Sequence, residues 1–122
     1  MARGYLAFVL HAHLPYVRSR RGALEERWFF EALTECYLPL LEVWEGLARE
    51  GRAFRLTLSL SPPLLEMLTD PDLSARYVAH LDNLLLLAEK EVRRTRKEPP
   101  VQRLARMYRE NLERIRHAYV EV

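Results

Sequence analysis

His11 and His13 stand two residues apart in the run Tyr5-Leu-Ala-Phe-Val-Leu-His-Ala-His-Leu-Pro-Tyr16. In an extended backbone that spacing sends both imidazoles to the same side. A neutral imidazole has one donor and one acceptor, so such a pair can orient hydroxyl groups, steady a carboxylate or hold a divalent ion. Pro15 lacks a backbone N–H and closes the strand, leaving the ring and phenol of Tyr16 at its mouth. The other candidates divide between chemistry and structure. Trp28 can stack on a flat ligand face or fill the core, and Ser59 and Ser61 can line a polar rim or cap a helix. Glu25, Glu26, Glu31 and Glu35 fall in a helix outside the strands, while Glu66 follows the second strand without an evident partner. No pair of carboxylates for general acid and base work is expected within the chain.

The elements that must position these residues follow from periodicity. Tyr5 to Leu10 is an apolar run of the kind found in a strand buried on both faces. Val17 to Gly22 reads as a polar loop with Arg18, Arg20 and Arg21. Glu25 and Glu26 then favour a helix start, because carboxylates complement the positive end of the helix dipole. Leu24, Trp28, Ala32, Cys36 and Leu40 form an apolar row at spacing four, widened by Phe29, Leu33, Val43, Trp44 and Leu47. Pro39 cannot donate to the Glu35 carbonyl and predicts a kink or break, and Gly51 predicts the stop.

Arg55 to Ser61 alternates as a second strand, with Leu56, Leu58 and Leu60 opposite Thr57, Ser59 and Ser61, and Pro62-Pro63 ends it. A short helix is expected over Leu64 to Leu68. Two strands joined through a helix make a parallel βαβ unit. Asp70 with Pro71 behind it predicts a capped helix carrying Leu73, Tyr77, Leu81, Leu84, Leu85, Ala88 and Val92 at helical spacing. The mixed-sign run Glu89 to Glu98 reads as a solvated helix end, with no aromatic platform for nucleic acid. After Pro99-Pro100, Val101, Ala105, Tyr108, Leu112, Ile115, Tyr119 and Val122 form a stripe that should pack on the preceding helix. The fold class is α/β, with parallel strands and several helices.

With 122 residues the chain can bury one small core, and a closed (β/α) barrel of roughly 250 residues does not fit. Nineteen basic against seventeen acidic side chains give a net charge of +2, so no strong field selects a polyanion. One cysteine, Cys36, allows no internal disulfide and suits a reducing cytoplasm. No leader is read at Arg3 and beyond, and no run reaches the ~20 apolar residues of a membrane span. A cytoplasmic protein without nucleic-acid or membrane partners is expected.

Three blocks occur in order: His11-Ala-His-Leu-Pro-Tyr16, Leu24-Glu-Glu-Arg-Trp-Phe-Phe-Glu-Ala-Leu-Thr-Glu-Cys-Tyr-Leu-Pro-Leu-Leu41 and Leu56-Thr-Leu-Ser-Leu-Ser-Pro-Pro-Leu-Leu-Glu-Met-Leu68. Together they resemble the amino-terminal region of glycoside hydrolase family 57, above all its 1,4-α-glucan branching enzymes. The resemblance implies that residues 1–122 are the first two βα units of an incomplete (β/α)7 TIM-like barrel, without an internal domain boundary. It implies an α-glucan substrate and the remainder of the barrel as partners, with no cofactor and no metal. It also implies a retaining mechanism whose glutamate nucleophile and aspartate acid/base lie beyond residue 122, leaving this chain alone inactive. His11 and His13 match the two histidines of the family's first motif; with Tyr16 and Trp28 they are the expected substrate-binding residues. A 4-α-glucanotransferase or amylase of the same family is the nearest alternative. A metal-dependent hydrolase would use His11 and His13 as ligands but needs a third, and His80 and His117 lie in helices away from the strand ends. A non-catalytic helical module would bind through the 101–122 stripe, leaving the polar strand end unexplained.

Overall fold

The computed structural model describes residues 4–17 and 24–120. In chain order it contains β1 (Val9–Ala12), α1 (Leu24–Ala32), a π turn (Leu33–Tyr37), α2 (Leu38–Arg49), β2 (Thr57–Leu60), α3 (Pro62–Thr69), α4 (Pro71–Arg94) and α5 (Pro99–Val120). The fold is α/β and mostly helical, with β1 and β2 forming a small parallel sheet. Val9 faces Thr57, Leu10 faces Leu58, His11 faces Ser59 and Ala12 faces Leu60. Parallel neighbours need a long crossover, which α1 and α2 supply. The arginines expected in the loop at 18, 20 and 21, Arg3 and Val122 lie outside the described residues.

β1 is shorter than the apolar run and is not buried on both faces. Tyr5, Leu6, Phe8 and Val9 are all exposed, Val9 to 71%. The run has the composition of an interior strand, but among the described residues only one strand pairs with it. Hydrophobic patterning therefore marks a surface that this chain by itself leaves open.

The interruption expected at Pro39 takes the form of a π turn. The Leu38 N–H bonds to the Leu33 carbonyl, five residues back, just ahead of the proline. Widening the turn there accommodates a ring that lacks an N–H and would press on the preceding turn of an α-helix. α2 ends at Gly51, whose φ of 68° lies in the left-handed region. The Gly51 and Arg52 N–H groups bond to the Ala48 and Leu47 carbonyls at 3.0 and 2.9 Å, satisfying the helix end.

The buried row of α1 differs from the expected one. Glu26, Phe29, Phe30 and Leu33 face the interior, whereas Trp28 and Cys36 are exposed. Spacings of three and four keep to one helical face, while a row taken strictly at spacing four drifts around the axis. The core joins Phe29, Phe30 and Leu33 to Leu64, Met67, Leu73, Tyr77, Leu81 and Ile115. Glu26 enters it as half of an ion pair, its Oε1 accepting from Arg76 Nη1 at 2.7 Å, and Arg76 Nη2 also donates to Asp72 Oδ2 at 3.1 Å. This ties α1 to α4.

α4 begins as expected, with Asp70 Oδ1 accepting from the Asp72 and Leu73 N–H groups at 2.8 and 3.2 Å. α5 folds back antiparallel along α4. Gln102 Nε2 donates to the Val92 carbonyl, Arg116 Nε to Asp82 Oδ1, and Tyr119 Oη to Ser74 Oγ, at 3.0, 2.6 and 3.1 Å. The expected packing of the 101–122 stripe on its predecessor thus holds through residue 120, with Ile115 fully buried.

Candidate functional site

The odd-numbered side chains of the paired strands build the polar edge. Because β1 and β2 run parallel and in register, His11 lies beside Ser59. The two are bonded, His11 Nδ1 to Ser59 Oγ at 3.1 Å. The His11 and His13 rings stack, their centroids 5.9 Å apart and their planes 8° from parallel. The same-side projection expected from the spacing is therefore present, although β1 itself ends at Ala12. Both rings are exposed. An imidazole bonded through Nδ1 to a serine leaves Nε2 free to meet a hydroxyl or carboxylate.

The ladder extends beyond the strands proper. Ser61 N–H donates to the Ala12 carbonyl at 3.1 Å, so the pairing pattern brings Ser61 alongside His13. Ser61 is buried, and its Oγ has no hydrogen-bond partner among the described residues. Val17, just past Tyr16, is also buried, with its N–H directed at Met67 Sδ at 3.4 Å. That contact anchors the segment following the histidines to α3.

Tyr16 and Trp28 are the looser candidates. Each keeps about half its surface open, 54% and 53%, so the core-filling alternative for Trp28 is not what the fold does with it. Ser59, expected only as rim or cap, is the partner of His11. His80 and His117 stand on α4 and α5, apart from the edge. His80 packs on Phe30 with ring centroids 5.2 Å apart. Burial, reinforced by Arg27 and opposed by Glu31, lowers its pKa and favours the neutral ring. Among the described residues, no three His, Cys, Asp or Glu side chains gather in an arrangement that could hold a metal ion. No helix among them is long and apolar enough to cross a membrane.

Periodicity missed the depth of the opposite face. Leu10, Ala12, Leu58 and Leu60 line a cavity of about 670 Å³ together with Tyr37, Leu41 and Trp44, and His11 also contributes to its lining. Its lining is almost wholly apolar. Saccharides need several convergent polar partners, so this space suits packing rather than sugar recognition. The chemistry gathers on the histidine side of the ladder.

A parallel βαβ unit with imidazoles and hydroxyls at its strand ends defines an α/β protein of the kind whose sites form at strand carboxyl ends. Residues 7–120 match Glycosyl hydrolase family 57, and the chain belongs to that family. It is 37% identical over 92 residues to a 1,4-alpha-glucan branching enzyme of Thermococcus kodakarensis, covering 75% of this chain and 14% of that protein. The crystal structure of the alpha-amylase AmyC from Thermotoga maritima superposes with a TM-score of 0.91 at 46% identity. A GH57-type branching enzyme from Pyrococcus horikoshii superposes with a TM-score of 0.92 at 30% identity. Each superposition covers 98% of this chain and 23% of the solved chain. The chain thus spans about a seventh of the curated relative and under a quarter of either solved relative.

Proposed function

We propose that this chain is the amino-terminal portion of a retaining 1,4-α-glucan branching enzyme, forming the first two βα units of a (β/α)7 TIM-like barrel. In this reading residues 1–122 contain no domain boundary of their own. His11, His13, Tyr16 and Trp28 bind the glucan, and the remainder of the barrel brings the glutamate nucleophile and the aspartate acid/base. The single observation behind it is the stacked imidazole pair, braced by Ser59, at a parallel strand end in a family 57 chain. The unpaired Cys36 fits a cytoplasmic enzyme.

The roles follow from the chemistry. Retention needs two carboxyls about 5–5.5 Å apart, one attacking the anomeric carbon and one protonating the leaving oxygen. Branching then delivers the glucosyl unit to a glucan 6-hydroxyl in place of water. A neutral imidazole near the nucleophile donates to its spare oxygen or to a sugar hydroxyl. A bond that tightens as the oxocarbenium ion develops lowers the barrier more than it strengthens binding. The exposed rings of Tyr16 and Trp28 offer flat faces to pyranose rings.

One observation favours a second reading, an α-amylase. The amylase relative is 46% identical to this chain and the solved branching enzyme 30%. Incubating the full-length enzyme with amylose separates the two. Branching lowers iodine absorbance and creates α-1,6 linkages at constant reducing ends, whereas hydrolysis raises reducing ends without new linkages. Residues 1–122 alone should do neither; branching by the isolated chain would overturn the assignment of the carboxylates. His13→Ala in the full-length enzyme should lower turnover about 10²-fold and change KM little. Unchanged turnover would remove His13 from the site.

A further inference from the structure

The strand edge carries two histidines and two serines at matching positions of the ladder, and His11 with Ser59 is the bonded pair. His11 and Ser59 are register partners joined at 3.1 Å. Ser61 stands two residues beyond Ser59, as His13 stands beyond His11, and the Ser61 N–H to Ala12 carbonyl bond carries the same pairing one step further. Yet Ser61 Oγ is shut off from solvent with no partner among the described residues.

Helix capping does not account for it. Ser61 is the N-cap of α3, but its side chain makes no capping bond. A cap hydroxyl normally accepts from the second or third N–H of the helix. The second residue here is Pro63, which has none, and the Leu64 N–H is left unclaimed by Ser61 Oγ. A buried hydroxyl without a partner is uncommon in native folds, because burial removes its bond to water without replacing it. The residue that the continued pairing sets opposite Ser61 is His13, whose imidazole, parallel to that of His11, has a ring nitrogen able to accept from the hydroxyl.

We propose that Ser61 is a positioning residue for His13, closing the second serine–histidine pair when a glucan hydroxyl occupies the strand edge; this rests on the reading of His13 as a glucan contact. In the closed form Ser61 Oγ donates to one ring nitrogen of His13. The proton of the neutral ring then sits on the other nitrogen, aimed at the sugar. Ser59 already braces His11 in a comparable way. The pair sets the tautomer and the ring plane, so its effect is on turnover and not on affinity.

The test is a double-mutant cycle in the full-length enzyme with amylose as substrate. Ser61→Ala should lower kcat about tenfold, the worth of one hydrogen bond, with KM changed less than about twofold. Ser61→Thr, which keeps the hydroxyl, should restore most of the rate. In a His13→Ala background, Ser61→Ala should have no further effect. Histidine ¹⁵N spectra with bound maltoheptaose should show a single His13 tautomer that becomes mixed in Ser61→Ala. Should Ser61→Ala not accumulate as folded enzyme, Ser61→Cys keeps the bulk, weakens the bond and is read the same way. Full additivity of the two substitutions, or a kcat unchanged by removal of the Ser61 hydroxyl, overturns this inference alone if His13→Ala is itself slow. A His13→Ala enzyme with normal turnover overturns the reading of the site as well.

Discussion

Tyr77 is the hub of the helical layer, and its phenol sets an alkaline limit on stability. The ring is fully buried, meets Tyr119 edge-on with centroids 4.7 Å apart, and lies 5.5 Å from Phe30. Its hydroxyl shares a 2.9 Å hydrogen bond with that of Thr34, and Thr34 also donates to the Phe30 carbonyl at 2.8 Å. Burial pushes the Tyr77 phenol from 10.0 up to about 12; the Thr34 bond opposes this and Tyr119 adds to it. A raised phenol pKa means the folded state holds its proton more tightly than the unfolded chain. The stabilisation from that preference is complete below pH 10 and is lost as pH climbs toward 12. A two-unit difference corresponds to about 3 kcal/mol in full, of which about 2 kcal/mol is gone by pH 12. Tyr77→Phe keeps the ring packing and removes both the titration and one hydrogen bond worth about 1 kcal/mol. The native protein should therefore be the more stable of the two at pH 8, with the order reversed near pH 12. Urea unfolding followed by tryptophan fluorescence from pH 8 to 12 measures this, and other titrating groups cancel between the two proteins. Parallel pH profiles for native and Tyr77→Phe would refute the reasoning.

Two further substitutions probe the framework behind the site. Glu26→Ala removes the buried carboxylate from the network around Arg76, whose own side chain is only 31% exposed, and should cost about 2–3 kcal/mol. Asp72→Ala, which removes the exposed member of the same network, should cost under about 1 kcal/mol; equal losses in melting experiments would show that burial does not govern the network. Asp70→Ala removes the acceptor for two N–H groups at the start of α4 and should cost about 1 kcal/mol, with Asp70→Asn recovering most of it. Unchanged unfolding free energy for Asp70→Ala would mean that solvent caps α4 equally well.

Local signals in the chain were legible wherever the chemistry acts within a few residues. Asp70 and Pro71 start a helix because one supplies an acceptor and the other a preset φ, and both act in place. Pro39 disturbs its helix because it lacks a donor, and the disturbance takes the form of a π turn in place of a break. The same-side projection of His11 and His13 needed only an extended backbone. The sides of the helix on which Trp28 and Glu26 fall, outward and inward, were not legible, for one reason. Which face of a helix becomes its interior is settled by the elements it meets, and α4 offered Arg76 to a carboxylate on the inward side.

By itself the sequence determined the order of the elements, their caps and stops, the α/β class and the presence of two imidazoles on one strand edge. These depend on backbone sterics, missing or supplied hydrogen-bond groups, and periodicity, all of which operate over a few residues. The tertiary structure alone decided that Ser59 braces His11, that the Ser61 hydroxyl is buried without a partner among the described residues, and that Tyr5 to Val9 stays uncovered. Those outcomes require a register between residues 48 apart in sequence; each strand's own alternation sets which face a side chain takes, but which residue it meets is decided only when the two strands pair.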